Sequence, residues 1–90
     1  MKFHFTYILL SLKDKKLYIG STQNVFKRLE EHNNGEKKTK SRIPFELLYY
    51  EAHRNKEDAL RREKYFKTNS GKRTIRQMLR FTLEEMNQKE

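Results

Sequence analysis

Apolar residues along this chain fall in short blocks whose period changes from two to a helical repeat and back. Phe3 to Leu10, FHFTYILL, is aromatic and β-branched and reads as a strand. A polar turn, LKDKK, follows. Lys16 to Ser21, KLYIGS, then reads as a second strand, close enough to pair with the first as a hairpin. Alternation places Leu17 and Ile19 on one face, and Tyr18 and Gly20 on the other. Val25, Phe26 and Leu29 follow at helical spacing behind Asn24, a good N-cap, and Asn33-Asn34-Gly35 supplies a stop. This predicts a helix over about 24–34. Glu36 to Arg42, EKKTKSR, has no core signal and reads as a mobile basic loop. Pro44 ends it, and Phe45 to Ala52 reads as a third strand. Asn55 caps a second helix, with Asp58 placed to reach back to the cap, and TNSG interrupts it near Thr68. A third helix starts near Lys72, with Ile75, Met78, Leu79, Thr82 and Met86 on one side. The tail, from about 85 to 90, is expected to fray. The result is a single α+β domain over 1–90: a three-stranded antiparallel sheet flanked by helices, in the order ββαβαα.

Charge changes what this small fold is expected to touch. There are 21 Lys and Arg against 12 Asp and Glu, a net charge of +9. That favours a polyanionic partner, nucleic acid before an anionic membrane. The apolar fraction is low, at 34%, but six Phe and five Tyr supply large buried areas. Cysteine is absent, which removes disulfides, thiol catalysis and zinc fingers, and three scattered His do not make a His-rich metal site. His4 and Thr6 interrupt the apolar N-terminus, no small-residue cleavage site follows, and no apolar run approaches the ~20 residues that span a bilayer. The expectation is a cytoplasmic, nucleoid-associated protein with no membrane partner.

Several residues carry candidate chemistry. Arg28 and His32 lie four apart on the first helix, flanking the stripe of Val25, Phe26 and Leu29. An Arg there can rest its stem on the core and present its fork to a phosphate. Either residue alone also reads as ordinary surface. Glu63 falls within the apolar stripe of the second helix, where a carboxylate is costly unless paired or bound to a cation. It reads as a ligand for a divalent cation or as a structural ion pair with an inward Arg, and the spacing leaves both open. Tyr7 and Tyr18 stand on neighbouring strands, as an aromatic core pair or as phenols beside cations that would lower their pKa. SGKRT, Ser70 to Thr74, lacks the upstream glycine and strand of a phosphate-binding loop. Basic residues recur from Arg61 to Arg80, either as a solvated face or as a track for a nucleic-acid backbone.

Taken in order, these pieces resemble the GIY-YIG nuclease family, in particular its small single-domain, excision-repair-nuclease-like members. Tyr18-Ile19-Gly20 is the second signature intact. Phe5-Thr6-Tyr7 stands where many members have Gly-Ile-Tyr, and keeps the tyrosine. Arg28 follows Tyr18 by ten residues and His32 follows by four more, like the family's R-x-x-x-H/Y helix. ALRREKYFK matches the later segment that holds the metal-binding glutamate, here Glu63. The likeness covers roughly Phe3 to Leu79. It implies a structure-directed endonuclease, with DNA repair as the setting, that hydrolyses DNA phosphodiesters with one Mg2+ or Mn2+. RNA stays open as a substrate. Glu63 would hold the metal and Arg28 would stabilise charge on phosphorus. One of Tyr7 and Tyr18 would activate water, with His32 assisting. Gly20, Ser21, Lys37, Lys38, Lys40, Arg42, Lys67, Lys72 and Arg73 would contact nucleic acid. Some members carry a lysine after the Tyr-Ile-Gly glycine, where this chain has Ser21; Lys37 or Lys40 would then come in from the loop. Asn69 is the nearest counterpart of a late asparagine. Two rival expectations are a non-catalytic nucleic-acid-binding module of the same fold and a subunit that docks a protein partner through its third helix. A monomer is expected otherwise.

Overall fold

The computed structural model describes residues 2–87. Its centre is an antiparallel sheet of β1 (His4–Ser11), β2 (Leu17–Thr22) and β3 (Phe45–His53), in the order β2-β1-β3. β1 is covered on both faces and is buried from Thr6 to Ser11. In register, Tyr7 lies opposite Gly20 on β2 and Tyr50 on β3, and Leu9 lies opposite Tyr18. The β1–β3 pairing skips a residue between Ile8 and Leu9. Consecutive Leu48 and Tyr49 consequently both pack against the cluster around Ile8.

The alternation read from the hairpin sorts the core into two halves. One half holds Ile8, Ile19, Phe66, Ile75 and Leu79, and the other holds Tyr7, Leu9, Val25 and Phe45. Helix α1 (Val25–Asn33) covers the Tyr7 face, and α2 (Lys56–Phe66) and α3 (Asn69–Met78) cover the Ile8 face. The side chains of Asn24 and Asn55 accept from the backbone N–H groups of Lys27 and Glu57 and start α1 and α2.

Three expectations change. The third helix begins at Asn69 and is two helices: Leu79 ends α3, and α4 runs Arg80–Asn87. The order is therefore ββαβααα. TNSG does not merely interrupt. Thr68 caps α3 by accepting from the Gly71 N–H, and α3 turns so tightly over α2 that a Cβ on Gly71 would run into the Tyr65 carbonyl. Residues 85–87 of the expected frayed tail are helical; 88–90 lie outside the described residues. Leu83 packs into the core in step with Ile75, Leu79 and Met86, while Met78, expected on that side, is exposed.

The segment expected to be a mobile basic loop is tied down. Thr39 is buried, Lys40–Arg42 form a 3-10 turn, and the Ser11 hydroxyl donates to the Arg42 carbonyl. Among the described residues, no helix is long and apolar enough to cross a membrane.

Gly71→Ala should unfold the α2–α3 corner first. The expected loss is at least about 1–3 kcal/mol, since backbone must shift to admit the methyl group. Urea denaturation followed by circular dichroism measures it.

Candidate active site

The site forms where α1 crosses the Tyr7 face of the sheet. Gly20 has no side chain, and the Tyr7 phenol fills the space one would occupy: a Cβ there would lie 2.5 Å from the Tyr7 hydroxyl. Tyr7 Oη stands 3.0 Å from His32 Nε2, and His32 Nδ1 stands 3.0 Å from Thr39 Oγ1. His32 does not flank the apolar stripe of α1. It is fully buried, and Phe26, expected on the stripe, is exposed. Tyr18 meets the imidazole in a T-shaped contact with centroids 4.8 Å apart, and Phe45 packs 5.5 Å away. Tyr7 and Tyr18 rings lie 6.3 Å apart.

Burial dominates the electrostatics of this cluster. It pushes the Tyr7 pKa up to about 12, against the opposing pull of Arg28, with Tyr18 and Glu63 adding to the rise. Burial, and then the Arg28 charge, hold His32 below its ordinary value. Both groups are neutral at pH 7. One assignment of protons satisfies them: Tyr7 donates to Nε2, and Nδ1–H donates to Thr39. Burial also works against the charge on Arg28, but Glu31 and Glu36 overcome it and raise its pKa. Their carboxylates lie 3.0 and 3.1 Å from Arg28 Nη1.

Glu63 stands apart from the other four candidates. It comes from α2 on the opposite face and reaches the β2 edge, where the Ser21 hydroxyl donates to Oε1 at 2.8 Å. Lys67 Nζ donates to Oε2 at 2.8 Å. The ion pair left open in the sequence thus exists, with Lys67 as the partner in place of an inward Arg. Glu63 is half-buried, and its charge is felt at the Tyr7 phenol. Among the described residues no three His, Cys, Asp or Glu side chains gather as a metal cluster.

The basic candidates separate by what they already hold. Lys37, Lys38 and Lys40 are exposed. Arg42 instead bonds Asp14 at 2.6 Å and the carbonyls of Lys16 and Leu17, a structural commitment that closes the β1–β2 hairpin. Arg73 is exposed and donates to Ser70. Lys72 lines a groove on the Ile8 side, away from Tyr7. Two partners of the site carried no sequence signal: Glu36, which pairs with Arg28, and Thr39, which anchors His32.

A family model described as the GIY-YIG catalytic domain matches residues 3–76. The chain belongs to the GIY-YIG family. Among its relatives, a UPF0213 protein of Bacillus licheniformis is 44% identical over 71 residues, covering 77% of this chain and 72% of that protein. A UPF0213 protein of Clostridium perfringens is 46% identical over 66 residues, covering 71% and 70%. An uncharacterized protein of Acanthamoeba polyphaga mimivirus is 39% identical over 79 residues, covering 81% of this chain and 48% of that protein. The solution NMR structure of a UPF0213 protein from Bacillus halodurans matches with a TM-score of 0.53 at 34% identity, covering 84% of each chain. Membership of the GIY-YIG family fixes the fold. The relatives' names assign no activity.

Gly20→Ala should displace the Tyr7 phenol and break its bond to His32 while leaving the sheet paired. A loss of about 1–3 kcal/mol is expected in thermal or urea unfolding. Stability should also fall with acid. The unfolded chain binds a proton at His32 more readily than the folded chain, whose value is lowered. The contribution is full above about pH 6.5, the unfolded value, and is lost as pH falls toward the folded one. Melting temperatures between about pH 7.5 and 5 should drop less steeply in His32→Gln than in the parent protein.

Proposed function

We propose that this protein binds nucleic acid across the β2 edge and hydrolyses a phosphodiester there. The observation that carries this reading is the buried Tyr7–His32–Thr39 chain beside Arg28, with a compensated carboxylate, Glu63, at the same sheet edge. A packed aromatic core has no need of a neutral imidazole bonded at both nitrogens next to a guanidinium.

The family implies a divalent cation, and the donor set fits one. Glu63 presents a half-buried carboxylate whose oxygens are shared with a hydroxyl and a displaceable ammonium. Hard cations such as Mg2+ or Mn2+ take one or two protein carboxylates and otherwise keep water. Glu63 would hold the ion with Ser21 beside it, and when bound the ion supplies Lewis-acid stabilisation of phosphoryl charge. The remaining work falls to the chain itself. Tyr18, half-buried where Tyr7 is only 2% exposed, orients the attacking water. As that water bonds to phosphorus and loses a proton toward Tyr7 Oη, the Tyr7 proton passes to neutral His32 Nε2 along the existing bond, so no free phenolate is needed; the opposite P–O bond breaks, and the departing sugar oxygen takes a proton from solvent. Glu31 and Glu36 favour the imidazolium that forms, and Thr39 holds its far nitrogen. Both carboxylates engage Arg28 through Nη1, which leaves the far side of the fork to meet charge building on phosphorus.

A second reading has its own support. Lys67 already neutralises Glu63, and among the described residues no three His, Cys, Asp or Glu side chains gather as a metal cluster. A module that binds nucleic acid without cutting it would look the same. The discriminating assay incubates purified protein with single-stranded, duplex, nicked and branched DNA, and with RNA, in Mg2+, Mn2+ or EDTA. The hydrolytic reading expects metal-dependent cleavage that falls by about 100-fold or more in Glu63→Ala and Arg28→Ala, with binding retained. It also expects Lys67→Met to lower the Mg2+ concentration that cleavage needs. Salt-dependent binding without cleavage by any variant would leave the binding module. In either case, removing Lys37, Lys38 and Lys40 together should flatten the log–log salt dependence by about 0.9 per lost duplex-phosphate contact. An unchanged slope would take those lysines out of the interface.

A further inference from the structure

The surface next to Arg28 is aromatic where a basic protein has no structural need of it. Phe26 on the first turn of α1 is 64% exposed, Tyr50 on β3 is 41% exposed and Phe3 ahead of β1 is 44% exposed. They are not scattered. Tyr50 sits between Phe5 and Phe26, with centroids 5.8 Å from each. A groove of about 580 Å³ begins at Arg28 and is lined by Lys2, Phe3, Phe5, Lys27 and Glu31. Its volume lies within the range of small-molecule sites. Glu31 is paired with Arg28, so the charges left to a ligand are cationic.

Exposed aromatics cost hydration free energy unless something covers them. Two features identify the cover. The rim is cationic and continuous with a site that handles phosphate, which calls for a polyanion. The rings offer π-faces, which a duplex cannot meet because its bases are stacked on one another. We propose that Phe26 and Tyr50 form a stacking platform for an unpaired base of a single-stranded nucleic acid, with Lys2 and Lys27 contacting the phosphates on the way to Arg28. The inference rests on the nucleic-acid reading above and narrows it, from any polynucleotide to one with unpaired bases beside the reacting phosphate.

Three variants at one exposed position test it. Phe26→Leu keeps apolar bulk and removes the π-face, Phe26→Ala removes both, and Phe26→Trp keeps the face and adds a fluorophore to a chain without Trp. Binding of a labelled single strand and of the matching duplex is measured by anisotropy at fixed salt, with a circular dichroism melt for each variant. Phe26→Leu and Phe26→Ala should weaken single-strand binding by about five- to tenfold and duplex binding by less than about twofold. Phe26→Trp should bind at least as well as the parent, and single strand should quench its emission. Equal losses on both DNAs, or no loss on either, would overturn the platform while leaving the proposed function intact. In the second case the patch would belong to a protein partner. If the parent protein binds neither DNA, the platform and the proposed function fail together.

Discussion

Tyr7 occupies the room that Gly20 leaves empty, and the rest of the molecule is arranged around that exchange. The phenol can lie over β2 because nothing projects from it there. It then reaches His32 on α1, and His32 reaches Thr39 in the segment beyond that helix. Three separate pieces of chain are joined by buried polar groups, with His32 fully enclosed and Tyr7 and Thr39 each 2% exposed. Any member left without its partner would cost about 1–3 kcal/mol, so the arrangement holds as a unit or not at all. Among the described residues, every buried polar side chain has a partner.

The same burial gives the cluster its chemical character. A phenol pushed up to about 12 and an imidazole pushed down are both neutral at rest, so in the proposed reaction a proton leaves Tyr7 for His32 only as the attacking water supplies Tyr7 with another. The charged members, by contrast, stand at the rim and are compensated in place: Arg28 by two carboxylates, Glu63 by an ammonium and a hydroxyl. Under the proposed function these partners are exchanged: a phosphate would take over from Glu31 or Glu36, and a metal from Lys67, without opening the core.

What the sequence disclosed and what it hid divide along range of contact. Strand alternation, the Asn24 and Asn55 caps and the two-faced hairpin are local consequences of residue type, and the structure keeps them. Local pattern also assembled Tyr7, Tyr18, Arg28, His32 and Glu63, but only through the family resemblance. Their individual spacings were equally consistent with plain surface or core. His32 reads as peripheral from the helical angle of α1 alone, whereas the covering segment that buries it comes from residues 36–42. That segment looked mobile because its anchors, Glu36 to Arg28 and Arg42 to Asp14, are contacts across chain separation that periodicity does not encode. The break between α3 and α4 leaves no mark in the periodicity, because Ile75, Leu79, Leu83 and Met86 keep the spacing of one continuous helix face across it.

The placement of Glu63 then answers how so small a fold can gather groups from both sides of its sheet. β1 is central and covered on both faces, so nothing can pass through it. β2 is an edge, and its residues alternate between faces. Gly20 opens toward Tyr7, and the next residue, Ser21, opens toward Glu63. Two neighbouring positions on one edge strand therefore bring the Tyr7–His32 pair and the Glu63 carboxylate to a common rim from opposite faces. A phosphate seated across that rim could be met by Arg28 from one side and by a Glu63-held cation from the other, an arrangement the interior of the sheet could not provide. A side chain at Gly20 would close the first approach. Losing the Ser21 hydroxyl would leave Glu63 held by Lys67 alone and weaken the second.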